Sequence, residues 1–311
     1  MFIKSNFTFS FGFSESRISC TDYSSLTYIQ FDLITNREAR RWASLINRGS
    51  YQNTPFNKPI ALLAQTCPTY LCTLFAFPKL RVPLLLLSPK NSSAAIAHLY
   101  KESGASAMIV DGELLNTNLQ VIDGPIYSLE KVKLEELAQS TPENKAETAP
   151  LENDEGAGWD EPAFILHSSG STGFPKIVKL PYSALIMFSA VYHTLGDFPG
   201  GKDDTILCLP PLFHGFGANI SVSSALLDGL TIALPLSNSW PPKPIEVLNS
   251  LARSKANVLY LVPSLLDQIF TALEEGFDNE LDNQNYSWDL LNLSNISHLV
   301  VPHCPQVSVG D

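Results

Sequence analysis

The sequence predicts an α/β chain of parallel sheets flanked by helices, arranged in two lobes. Three observations carry that prediction. Short runs of Leu, Ile and Val alternate with helix-length segments of about ten residues, the pattern of βαβ units. The chain has 311 residues, enough for about two domains. A stretch nearly devoid of large apolar residues interrupts the alternation near the middle.

The elements follow in order. After an irregular start, Leu26–Ile29 is rich in β-formers and is expected to be a strand. Phe31–Ile46 has helical character, because Ile34, Ala39, Trp42, Ala43 and Ile46 can share one face. Lys58–Leu63 is expected as a buried strand, Tyr70–Phe77 as an apolar helix ended near Pro78, and Val82–Leu87 as a second buried strand. Ala94–Ser103 is a helix stopped by Gly104, and Ala107–Val110 is a third strand. From Ala138 to Gly158 the run AQSTPENKAETAPLENDEGAG marks a solvated acidic linker. The expected division is therefore a first lobe at 1–137, a linker at 138–160 and a second lobe at 161–311. Beyond the linker the alternation resumes with a strand at Phe164–Leu166. Further elements are expected at Ser183–Leu195, Thr205–Leu209, Ile220–Leu227, Thr231–Leu234, Pro244–Ser254, Val258–Val262 and Ser264–Glu274.

Composition narrows the function classes. Hydrophobic residues are 45% of the chain and charged residues only 16%, which excludes an intrinsically disordered protein. No apolar run approaches the roughly 18 residues a membrane-spanning helix needs, and the opening MFIKSNFTFSFGFSES does not have the pattern of a signal peptide. A cytoplasmic setting without membrane association is expected. The net charge of −11 is local: residues 130–161 hold ten acids and three bases, and residues 274–289 hold six acids and no base. The remainder is close to neutral, so no nucleic-acid surface and no basic membrane patch is expected. Five scattered cysteines (Cys20, Cys67, Cys72, Cys208, Cys304) argue for free thiols rather than a disulfide framework. Their spacing completes no zinc set, and no metal site is expected from side-chain clusters.

One segment carries chemistry. The strand Phe164-Ile165-Leu166 runs through His167 into Ser168-Ser169-Gly170-Ser171-Thr172-Gly173, followed by Phe174-Pro175-Lys176 and a second apolar pair. Gly170 and Gly173 allow a loop that turns several backbone N–H groups towards one point. Ser168, Ser169, Ser171 and Thr172 add hydroxyls, and Lys176 adds a mobile cation. That inventory suits a polyphosphate. It is not a Walker loop, in which Lys and a hydroxyl residue directly follow the last Gly; here Gly173 is followed by Phe174-Pro175-Lys176-Ile177.

Residues Ser168–Lys176 resemble, over nine consecutive positions, the phosphate-binding signature Ser/Thr-Ser/Gly-Gly-Ser/Thr-Thr-Gly-x-Pro-Lys of the adenylate-forming (AMP-binding) superfamily. That superfamily includes acyl-CoA synthetases, luciferases and the adenylation domains of nonribosomal peptide synthetases. Ser25-Leu26-Thr27-Tyr28 is similar to its early Leu-Thr-Tyr segment, Pro210–Gly217 to its Pro-x-Phe-His-x-x-Gly segment, and Val258–Leu266 to its Val-Pro-Ser strand-to-helix turn. The wording of the signature most resembles the adenylation domains of fungal synthetase-like reductases, and the likeness covers roughly residues 25–311.

The resemblance implies the N-terminal part of that fold and its reaction. A carboxylate attacks the α-phosphate of ATP, an acyl-adenylate forms, pyrophosphate leaves, and the thiol of CoA or of carrier-protein phosphopantetheine takes the acyl group. It implies that Ser168, Ser169, Gly170, Ser171, Thr172 and Gly173 hold the β- and γ-phosphates with Lys176 beside them, and that Mg²⁺ helps to neutralise charge. Phe213, His214 and Gly217 would lie at the wall of a pocket for a small carboxylic acid.

The chain departs from the family pattern after residue 300. Where relatives carry a Gly-Gly-Ala-Pro turn against the adenine, this sequence has Pro302-His303-Cys304-Pro305. The family's later motifs, including a ribose-binding Asp and a lysine that approaches the reacting carboxylate, are not among the 311 residues, so no catalytic residue is assigned. Lys243 and Lys255 are substitutes by charge only. Three readings follow: a truncated adenylate-forming protein, a fragment completed by another chain, or a noncatalytic nucleotide- or partner-binding domain that keeps the fold. The first carries a testable expectation. Positioning and electrostatics at the α-phosphate supply most of the acceleration, so the 311-residue chain alone is expected to show little or no carboxylate-dependent ATP–pyrophosphate exchange. Turnover with any member of a panel of aryl, amino and fatty acids would overturn it.

Overall fold

The computed structural model describes residues 8–12, 23–47, 58–115, 119, 122–131, 158–168, 173–195, 203–223, 229–235, 240–275 and 298–300. Its first half runs β1 (Thr8–Gly12), β2 (Tyr23–Thr27), α1 (Tyr28–Asn47), β3 (Ile60–Leu63), α2 (Pro68–Leu80), β4 (Leu84–Leu87), α3 (Ser93–Ser103), β5 (Ala107–Asp111) and β6 (Ile126–Leu129). Its second half runs β7 (Pro162–His167), β8 (Ile177–Pro181), α4 (Tyr182–Leu195), β9 (Thr205–Cys208), α5 (Gly215–Ser223), β10 (Thr231–Ala233), α6 (Pro244–Ser254), β11 (Val258–Tyr260), α7 (Pro263–Glu275) and β12 (His298–Val300).

The strands form two six-stranded sheets, in the orders β6-β5-β3-β4-β7-β8 and β12-β11-β9-β10-β1-β2. Each is parallel except for one antiparallel edge, β7–β8 in the first and β1–β2 in the second. The predicted α/β class with parallel sheets is what the chain adopts. The sheets, however, do not divide the chain at the acidic segment, as lobes at 1–137 and 161–311 would suggest. Strands β7 and β8, which follow that segment, complete the first sheet, and β1 and β2, from the start of the chain, complete the second. Strand spacing along the sequence says nothing about which sheet edge a strand will join. The linker itself lies mostly outside the described residues.

Alternation along the strands explains the layers. On β3, Ile60 and Leu62 face a central cluster, while Ala61 and Leu63 face the opposite side. The central cluster gathers Ile34, Ala39 and Trp42 of α1, Leu71, Leu74 and Phe77 of α2, and Cys208 and Ile232 from the second sheet. Helices α1 and α2 are thus the filling between two sheets. The far face of the first sheet is covered by Ile96, Leu99 and Tyr100 of α3. The far face of the second is covered by Val247, Leu248 and Leu251 of α6 with Leu265 and Ile269 of α7. Strands buried on both faces read as continuous apolar runs, as Leu84–Leu87 does. Among the described residues no helix is long and apolar enough to cross a membrane.

Four element boundaries differ from expectation for identifiable reasons. The start is not wholly irregular, because Phe9 and Ser10 of β1 pair with Ile232 and Ala233. The strand expected at Leu26–Ile29 stops at Thr27, where a reciprocal cap begins α1: Thr27 N–H donates to Gln30 Oε1 (2.8 Å) and Gln30 N–H donates to Thr27 Oγ1 (3.2 Å). Helix α2 passes through Pro78 and closes at Arg81, which is left-handed (φ 58°) and donates its N–H to Pro78 O (3.1 Å). The element expected at Ile220–Leu227 is a helix that begins five residues earlier, at Gly215, and residues 224–227 lie outside the described set.

Of the cysteines, Cys67, Cys72 and Cys208 are free thiols; Cys20 and Cys304 lie outside the described residues. Cys67 caps α2 by accepting the Tyr70 N–H (3.4 Å), and burial pushes its thiol up to about 11, so it stays protonated.

The Phe77 ring is fully buried, 5.9 Å from that of Trp42, at the centre of the filling. Phe77→Ala is expected to cost about 3–5 kcal/mol, because both sheets resist collapse into the void. Urea unfolding checks this, and a loss below about 1 kcal/mol would contradict the layered core.

Candidate functional site

The site begins where the carboxyl ends of strands from both sheets converge. In the first sheet, β3 leads to Thr66, β4 to Ser88, and β7 to His167 and Ser168. From the second sheet, β9 leads into Pro210-Pro211-Leu212-Phe213-His214 and then α5. Two contacts close the seam. Leu212 N–H donates to Thr66 Oγ1 (2.9 Å), and a Cβ placed on Gly215 would touch the Leu166 side chain at 3.0 Å. Open α/β sheets place ligands at such strand ends.

Residues Ser168–Lys176 form the connection of a β-hairpin. Strands β7 and β8 are antiparallel, with His167 opposite Ile177, and Ser168 N–H donates to Lys176 O (2.9 Å). The signature therefore leaves one strand and enters another, not a helix as in a Walker loop. Gly173 has φ +152°, a conformation L side chains rarely adopt. Lys176 is exposed, and among the described residues its ammonium has no ion pair. Ser169, Gly170, Ser171 and Thr172 lie outside the described residues.

Two imidazoles flank the seam. His167 Nε2 accepts the Ser88 N–H (3.3 Å) and lies 3.2 Å from Asn91 Nδ2, so in the neutral ring the proton belongs on Nδ1. That Nδ1 is buried and, among the described residues, has no hydrogen-bond partner. His214 Nδ1 accepts the Phe216 N–H (3.2 Å), which leaves Nε2 to donate. Burial lowers the pKa of His167 from the usual 6.5; the Ser168 backbone partly offsets that, and the nearby His214 adds to it by like-charge repulsion. Burial lowers His214 in the same direction. Both rings are therefore neutral at pH 7.

The structure thus brings Ser168, Gly173, Lys176, His214 and the start of α5 to one region. Phe213 is half-buried beside His214, packed on the central cluster. Gly217 is buried, and a Cβ there would lie 2.2 Å from Pro211 O and 2.5 Å from Pro210 O, so its service is close backbone packing. Lys243 and Lys255 stand at the two ends of α6, the former before its first turn and the latter left-handed at its close (φ 54°). Helix α6 covers the face of the second sheet turned away from the first. The sequence reading passed over His167, Ser88, Asn91 and Thr66. His167 was in view, directly before the signature, whereas Ser88 and Thr66 are strand-end residues without a motif of their own.

A family model described as AMP-binding enzyme matches residues 12–301. The chain belongs to the AMP-binding enzyme family. Its relatives include an adenylate-forming reductase of Aspergillus terreus, 29% identical over 220 residues, covering 68% of this chain and 20% of that protein. Long-chain fatty acid transport protein 5 of Homo sapiens is 26% identical over 225 residues, covering 68% of this chain and 31% of that one. This AMP-binding chain thus spans about a fifth to a third of the length of these relatives. Among solved structures it resembles O-succinylbenzoate Coenzyme A synthetase from Bacillus subtilis in complex with AMP. The TM-score is 0.64 at 20% identity, over 94% of this chain and 64% of that chain, a likeness of fold.

The lowered histidines give this AMP-binding chain a pH signature. With folded pKa values below 6.5, the unfolded chain binds protons first as pH falls, so stability is lost from about pH 6.5 downward until the folded values are passed. Urea midpoints measured between about pH 7 and 5 should fall on acidification, and less steeply in His167→Gln. Equal slopes in the two proteins would show that His167 is not held neutral.

Proposed function

We propose that this chain supplies the nucleotide-phosphate and acid-facing part of an enzyme that activates a small carboxylic acid with ATP. In that reaction a carboxylate oxygen bonds to the α-phosphorus, the bond from that phosphorus to the pyrophosphate oxygen breaks, and pyrophosphate leaves. The acyl group then passes to a thiol, CoA or the phosphopantetheine of a carrier protein. The observation that carries the reading is the position of Lys176: exposed, unpaired among the described residues, at the exit of a glycine-bearing turn where the strand ends converge. Membership of the AMP-binding family supports it.

The chain's own residues divide the work. Ser168 to Gly173 offer hydroxyls and backbone N–H groups to the β- and γ-phosphates, and Lys176 offsets their charge. His214, neutral and with Nε2 free to donate, can hydrogen-bond a carboxylate without adding a full charge, and Phe213 beside it limits the pocket. Among the described residues no three His, Cys, Asp or Glu side chains gather as a metal cage. A Mg²⁺ carried in on the phosphate oxygens would supply charge neutralisation beside the hydroxyls of Ser168, Ser171 and Thr172.

Lys176→Ala should weaken Mg·ATP binding by about 1.5–3 kcal/mol, the scale of a charge-assisted hydrogen bond, with the fold unchanged. Calorimetric titration of both proteins measures it, and equal affinities would count directly against the assignment.

A further inference from the structure

One contiguous stretch, residues 88–103, grips the signature turn at both ends. At the entry, Ser88 N–H and Asn91 Nδ2 meet His167 Nε2 at 3.3 and 3.2 Å. At the exit, the His98 ring of α3 stacks on Phe174, with centroids 4.9 Å apart and 25° between the planes. His98 Nε2 lies 3.1 Å from Glu102 Oε2, one helical turn on.

The mounting is rigid. Helix α3 is capped by Ser92 Oγ, which accepts the Ala95 N–H (3.2 Å), and ended by Gly104 at φ +70°. Ile96, Leu99 and Tyr100 anchor it to the first sheet. His98 and Glu102, four residues apart, share another face of the helix. Phe174, by contrast, is 55% exposed, so core burial does not hold it. It follows Gly173, whose backbone has the widest conformational choice of any residue. Ordering the backbone from Gly173 to Lys176 before a ligand arrives spares affinity that would otherwise be spent on it.

We propose that His98 is a positioning residue for the signature turn: its ring, steadied by Glu102, clamps Phe174 and so pre-sets the backbone between Gly173 and Lys176 for the ligand. The ligand being a polyphosphate rests on the function proposed above; the clamp itself does not. No bond is made or broken by His98, and it touches no substrate in this assignment.

The test uses the full chain and four variants: His98→Ala, His98→Phe, Phe174→Ala and the His98→Ala/Phe174→Ala double. Backbone hydrogen exchange over residues 173–176 is measured without nucleotide, Mg·ATP affinity by titration, and Tm as a fold control. His98→Ala should raise exchange in that segment several-fold and weaken Mg·ATP about 3–10-fold, the scale of one aromatic pair, with Tm within about 2 °C. His98→Phe, which keeps a stacking ring, should restore both readouts to within about twofold. Phe174→Ala should match His98→Ala, and the double variant should be no worse than either single. Unchanged exchange in His98→Ala, or additive losses in the double, overturns the clamp. Unchanged exchange with Lys176→Ala still weakening Mg·ATP removes the clamp and keeps the nucleotide reading. Altered exchange in a protein that binds no Mg·ATP keeps the clamp and removes the nucleotide reading.

Discussion

A Cβ on Gly217 would lie 2.2 Å from one proline carbonyl and 2.5 Å from another, and a Cβ on Gly215 would press on Leu166 at 3.0 Å. The Gly217 distances leave no room for a side chain, so the segment joining β9 to α5 closes onto itself only because that residue is glycine, and Gly215 lets it sit tightly against β7, where a Cβ would oblige the Leu166 side chain to shift by a few tenths of an ångström. That closure joins the two sheets at their carboxyl ends. The Thr66 hydroxyl on the Leu212 amide adds a polar tie to the same seam. His214 and Lys176 come from different sheets' strand ends, and they share a region because this seam shuts.

The filling between the sheets makes the seam rigid. Helices α1 and α2 present apolar residues to both sheets at once, and Trp42 packs edge to face with Tyr127 and tilted against Phe77 in one cluster. Chain crossings connect the layers, since the first sheet takes its antiparallel edge from β7 and β8 in mid-chain and the second takes its own from β1 and β2 at the start. Movement of one sheet against the other would have to break the apolar contacts of this shared filling. The Arg81–Glu161 ion pair (2.9 and 3.0 Å) and the Tyr182 hydroxyl on Pro78 O (3.2 Å) tie the second half of the first sheet to α2. The exposed ion pair adds little energy and mainly orients the hairpin.

Charge is arranged to match. The acidic residues concentrate along the sequence in two segments, 130–161 and 274–289, and among the described residues the seam holds neutral histidines and an exposed lysine.

How much was legible in the sequence follows from the range of each interaction. Apolar alternation and helix-length spacing determined the α/β class, since burial on both faces of a parallel strand demands continuous apolar runs such as Leu84–Leu87. The nine-residue signature and the Pro210–Gly217 segment determined the family, because backbone approach requires glycine at fixed positions whatever surrounds it. The Thr27–Gln30 cap was equally present in the sequence, and only its overlap with a β-rich run hid it. Other features had no local signal. That β1 and β2 join the sheet of β9–β12, that Ser88 meets His167 across 79 positions, and that His98 stacks on Phe174 across 76, are decided by tertiary packing alone. A sequence pattern reports which face of an element is apolar; which distant element covers that face depends on the sum of many weak contacts that exist only once the chain has closed.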